Sequence, residues 1–168
     1  KSTITSLFLN DNCIISEDKS IIFSKGGSSL VLPSQIPLIK LSNKINSAKG
    51  LKLSNKIARD ISNRSTYDVS DINLNNNINK IDYCIFLEKG NLELKELSFK
   101  NAFKYIFDNS IIPFTKNECI ETNKMFLSSI NSFLKSDSKF YLYKRSDKKN
   151  FNNQSYKIEL ESLFDKII

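Results

Sequence analysis

An α/β domain with a mixed, largely antiparallel sheet and flanking helices is the fold class this sequence predicts. Three observations carry it. Asp82-Tyr83-Cys84-Ile85-Phe86-Leu87-Glu88 has a continuous apolar centre, the pattern of a strand buried on both faces. Leu92-Glu93-Leu94-Lys95-Glu96-Leu97 alternates strictly behind the turn Lys89-Gly90-Asn91, the pattern of a hairpin partner with one wet face. Ser98 then opens an amphipathic stretch whose apolar residues recur at helical spacing.

The elements follow in order. Ser2 to Phe8 is expected to form a short helix with Ile4, Leu7 and Phe8 on one side. Cys13-Ile14-Ile15 and Ile21-Ile22-Phe23 read as a hairpin across the turn Glu17–Ser20. Lys25–Ser29 is a loop, with a hairpin turn at Gly26-Gly27, and Leu30-Val31-Leu32 is a strand stopped by Pro33. Pro37 is expected to open a helix through Leu38, Leu41 and Ile45, ending near Gly50. Leu53, Ile57, Ala58 and Ile61 suggest another helix, and the Asn-rich run 71–80 a solvated loop. After the 82–88/92–97 hairpin, Ser98 is the N-cap of a helix over 98–108 with Phe99, Ala102, Phe103, Ile106 and Phe107 as its stripe. A further helix over about 117–134 carries Ile120, Phe126, Leu127, Ile130 and Phe133 and packs on it. Phe140–Lys144 is a last strand, and Ile158, Leu160, Leu163, Phe164 and Ile167 mark a closing helix. The aromatic stripes are core rather than a base-stacking platform, because their spacing is helical.

Composition bounds the chemistry. At 168 residues and 40% hydrophobic the chain can bury one core, so a single domain over 1–168 is expected. The formal net charge is +7, yet Arg stands only at Arg59, Arg64 and Arg145. Ile, Asn and Lys rise together, which points to codon bias rather than to a nucleic-acid surface. Nucleic acid is therefore not the expected partner. With His 0, a Ser-His-Asp triad, a Cys-His dyad and His-ligated metal are excluded. Cys13, Cys84 and Cys119 lack the spacing of a zinc or redox motif. Cys13 and Cys84 sit in apolar runs as buried thiols, which suits a reducing, cytoplasmic setting. No run nears the ~18 apolar residues of a membrane span. A sequence opening on Lys rather than Met is expected to be processed or cut.

Lys1-Ser2-Thr3 has the form in which a phosphate-binding P-loop ends. In such a loop the Lys faces the β- and γ-phosphates and the hydroxyl that follows holds Mg²⁺. Asp11, in Asn10-Asp11-Asn12, would be a carboxylate beside an apolar run, able to take or orient the proton of an acceptor hydroxyl. Such a cluster is equally ordinary turn chemistry. Glu88 and Glu93 do not read as a glycosidase pair, since nothing in the sequence sets their separation.

The order of these segments resembles the kinase domain of the HPr kinase/phosphorylase family, which shares its nucleotide-binding core with phosphoenolpyruvate carboxykinases. The resemblance is carried by Lys1-Ser2-Thr3, by Leu9–Ile15, by Val31-Leu32-Pro33-Ser34-Gln35-Ile36-Pro37-Leu38-Ile39-Lys40-Leu41, by Tyr83–Glu88 and by Glu96–Ala102. It spans most of residues 1–145 and places the glycine-rich start of the P-loop ahead of Lys1. It implies an HPr-kinase-like P-loop core and a Mg-ATP-dependent phosphotransferase acting on a serine or small-molecule hydroxyl. The nucleotide would meet Lys1, Ser2 and Thr3, with Arg64 neutralising phosphate charge; Mg²⁺ would meet Ser2 and Asn12; Asp11 would act on the acceptor, an unknown protein or small molecule. The family closes the motif at Asn12 with a second Asp and carries a His just before it, and this sequence has neither. Those departures favour the alternative: a non-catalytic nucleotide-binding or protein-interaction module that keeps the kinase fold.

Overall fold

The computed structural model describes residues 15, 20–33, 38–42, 56–59, 64–68, 77–110, 120–145 and 153–167. In chain order the strands begin with β1 (Ile21–Lys25), β2 (Ser28–Leu32), β3 (Leu38–Ser42), β4 (Lys56–Arg59) and β5 (Arg64–Asp68). They continue with β6 (Asn79–Lys80), β7 (Tyr83–Lys89) and β8 (Glu93–Glu96), followed by helices α1 (Phe99–Asn109) and α2 (Ile120–Leu134). Strand β9 (Lys139–Arg145) and helix α3 (Asn153–Phe164) complete the series. The fold is mixed α/β, with mostly antiparallel pairing in three small sheets among the described residues. The expected helix at 2–8, and Cys13-Ile14 of the first hairpin, lie outside the described residues. No helix among those described is long and apolar enough to cross a membrane.

The chain divides into two compact units. One comprises residues 21–31 and 78–147. In it β1 and β2 form a hairpin on Gly26 and Gly27, whose φ of 61° and 82° give the left-handed turn that only glycine takes without strain. β2 also pairs antiparallel with β6, Leu30 opposite Lys80 and Val31 opposite Asn79. Residues 79–80, expected in a loop, are thus strand.

The main sheet of this unit corrects the expected hairpin of 82–88 with 92–97. Its order is β7-β9-β8. β9 runs parallel to β7 over all seven residues, Tyr83 opposite Lys139 to Lys89 opposite Arg145, and antiparallel to β8. A direct β7–β8 ladder would leave β9 at the edge, with its apolar run Phe140-Tyr141-Leu142-Tyr143 half in water. Inserted between them, all four of those residues are 8% exposed or less. The strand buried on both faces is therefore β9, while β7 is only half-buried and is an outer strand of this sheet among the described residues. The link from Lys89 to Glu93 is four steps of ~3.5 Å, long enough to bridge the ~10 Å across two strand spacings. The Gly90 N–H bonds the Arg145 carbonyl at 2.8 Å, and a Cβ on Gly90 would meet Lys144 Cδ at 3.3 Å.

Helix α1 forms where the stripe predicts it, with Ala102 buried and Phe103 and Ile106 against the core, whereas Phe99 and Phe107, expected in the buried stripe, are exposed. Ser98 takes the N-cap backbone (φ −64°, ψ 156°) and its carbonyl accepts the Ala102 N–H at 2.9 Å, but its hydroxyl makes no capping bond. At the other end Asn109 Nδ2 donates to the Tyr105 carbonyl at 2.8 Å, Ser110 Oγ to the Ile106 carbonyl at 2.7 Å and the Ser110 N–H to the Phe107 carbonyl at 3.3 Å, which supplies donors to part of the helix end. Helix α2 packs on α1 through Phe107 and Phe126, ring centroids 6.0 Å apart. The buried face of α2 is Ile130, Phe133 and Leu134, with Phe126 beside it; Ile120 and Leu127, expected in the stripe, are exposed. Ala102, Ile130, Phe133, Leu134 and Phe140 form one core, Phe133 meeting Phe140 edge-on at 5.1 Å. An Ala at position 102 lets α1 approach this core closely.

The second unit, residues 1–20, 32–77 and 148–168, holds the sheet β3-β5-β4 and α3. Here two expected helices are corrected. Leu38–Ser42 pairs antiparallel with β5, Leu38 opposite Asp68 to Ser42 opposite Arg64. Lys56–Arg59 pairs with the other side of β5, with a bulge between Lys56 and Ala58. β5 supplies the ladder to both, and its Thr66 and Tyr67 suit a pleated strand. The closing helix exists as α3: Leu160 is fully buried, while Ile158 is 60% exposed.

Candidate functional site

Lys1, Ser2, Thr3, Asp11 and Asn12 lie outside the described residues, so the expected phosphate cradle and acceptor carboxylate have no described geometry. Arg64 does. It opens β5, opposite Ser42 in β3, and its side chain is exposed. Ser65 and Tyr67 are buried at 0% and 5%. Strand alternation therefore turns Arg64 to the face opposite those two residues. It stands at the start of the central strand of its sheet, paired with Ser42 on the β3 side.

The described residues bring together a second polar group, at the C-terminal end of β7. Register sets Glu88 opposite Lys144, and Lys144 opposite Glu93, so the cation stands between two carboxylates. Lys144 Nζ reaches Glu93 Oε2 at 3.2 Å. Glu88 is held from the helix side, where the Tyr105 hydroxyl donates to Glu88 Oε1. The Tyr105 ring stacks on Phe86 at 5.0 Å, which fixes the direction of that donor. The bond to Glu88, then burial, then the charge of Glu88 push the Tyr105 phenol up to about 12. It stays protonated at neutral pH, and Glu88 has a lone pair committed to it. With β9 between them, the backbones of Glu88 and Glu93 are about 10 Å apart. The two carboxylates serve separate partners. The group ties α1 to the sheet end.

Cys84 lies half-buried in β7 against the core. Burial pushes its thiol up to about 11, so it is neither a ready nucleophile nor a ready metal ligand. Cys13 and Cys119 lie outside the described residues. Among the described residues no three Cys, Asp or Glu side chains gather as a cation site.

A serine cluster gave no signal in the sequence. The Ser29 hydroxyl, fully buried in β2, donates to Ser136 Oγ at 2.8 Å. Ser136 donates onward to the Phe133 carbonyl at 2.7 Å and accepts the Ser138 N–H at 3.3 Å. Ser138 donates to the Ile81 carbonyl at 2.6 Å. Ser136 Oγ also lies 3.1 Å from Ser138 Oγ; with its proton assigned to the shorter contact, the Phe133 carbonyl, each hydroxyl proton is used once, and the cluster joins the β1–β2 hairpin to the α2–β9 turn. Lys80 braces the same turn from outside, 3.6 Å from Asp82 and 3.5 Å from Asp137. Serines are ordinary in so polar a sequence, and only the fold brings these three together.

Compared with known protein families, with characterised proteins and with solved structures, the chain matches none.

Proposed function

We propose that the chain is a nucleotide-binding domain of kinase type, a Mg-ATP-dependent phosphotransferase acting on a hydroxyl acceptor. The observation that carries the proposal is the order Lys1-Ser2-Thr3 followed by Asp11: a fixed cation, a metal-holding hydroxyl and a carboxylate within eleven residues. The mixed, mostly antiparallel α/β architecture is compatible with it. Lys1 and Thr3 would contact the phosphates and Ser2 the Mg²⁺, which supplies Lewis-acid neutralisation of the transferring group when bound. Asn12 would reach metal-bound water without adding charge, and Asp11 would orient the acceptor hydroxyl and take its proton. Arg64, exposed on its strand, would add a cation to phosphate oxygens.

The test is calorimetric titration of the full-length protein with Mg-ATP. Lys1→Ala removes a charge-assisted contact and is expected to weaken binding by about 1.5–3 kcal/mol. An affinity that does not change, or no affinity in the wild type, contradicts the proposal. The second reading, a protein-interaction module that keeps the fold, is favoured by one specific feature. The polar groups that the described residues do bring together, Glu88–Tyr105 and Lys144–Glu93, are engaged with each other rather than open to a reactant.

A further inference from the structure

We draw no further inference here: the strongest candidate, the exposed apolar side chains on the surface of α1 and α2 (Phe99, Phe107, Ile120, Met125 and Leu127), carries none because nothing in the structure shows what covers them.

Discussion

Replacing Ser136 with Ala should cost more than replacing Ser29, and replacing both should cost no more than replacing Ser136 alone. The serine cluster dictates this order. Ser136→Ala removes the acceptor of the Ser29 hydroxyl, which is 0% exposed and 2.8 Å away, and leaves that donor buried without a partner. Such an orphan costs about 1–3 kcal/mol. The Phe133 carbonyl is spared, because the Ser136 N–H still reaches it at 3.2 Å. Ser29→Ala removes a donor only: Ser136 Oγ keeps the Ser138 N–H and its own bond to Phe133, so the loss is about 0.5–1.5 kcal/mol, the net value of one hydrogen bond. In the double variant the Ser29 orphan is gone, while the Ser138 N–H loses Ser136 Oγ both there and in Ser136→Ala and so adds nothing to the difference. The cost of the double variant should fall to or below that of Ser136→Ala, a coupling of about 1 kcal/mol or more in a double-mutant cycle. Urea unfolding followed by far-ultraviolet circular dichroism measures all four proteins. Additive losses, or Ser29→Ala as the costlier single change, would refute the proton order assigned to the cluster.

Three further outcomes follow. Phe140→Ala leaves a hole beside Phe133 and Ala102, and should destabilise by about 3–5 kcal/mol in the same assay. Tyr105 and Cys84 both bind their protons more tightly folded than unfolded, with pKa values raised to about 12 and about 11. The unfolded chain therefore releases protons first, and stability should hold below pH 9 and fall as pH rises through 9–12. Spectrophotometric titration of Glu88→Gln should bring one tyrosine down toward the ordinary range, because its first cause of elevation is the bond to Glu88.

The part of the fold written most plainly in the sequence was the part held by local apolar period. α1 and β9 stand where their spacing predicts, α2 and α3 within a few residues, and the turn at Gly26-Gly27 needed only two glycines in succession. What failed was pairing between distant segments. Leu38, Leu41 and Ile45 fit a helix as well as a strand, because a short apolar run does not distinguish the two periods. What decided Leu38–Ser42 was β5, whose Arg-Ser-Thr-Tyr-Asp is too polar to announce a central strand. The β7–β8 hairpin failed for a similar reason: the turn was legible, but the strand that enters between its arms comes more than forty residues later. Of the candidate site, only Arg64 stands among the described residues, at the start of β5. Tyr105 was invisible because its partner Glu88 lies in another element, and nothing in either segment alone marks the pair.

Phosphoryl chemistry at the N-terminal segment is measured directly by transfer of radiolabelled γ-phosphate from Mg-ATP by the full-length protein, wild type against Asp11→Asn. Release to water is followed alongside, so that an unknown acceptor does not hide turnover. Asn keeps the size and hydrogen bonding of Asp but cannot take a proton. If Asp11 takes the acceptor proton, Asp11→Asn leaves ATP affinity unchanged and lowers turnover by about 10²–10⁴-fold, the scale of general-base catalysis. Equal turnover by both proteins would remove Asp11 from the chemistry, and no turnover by either with ATP bound would contradict the kinase reading in favour of the binding module.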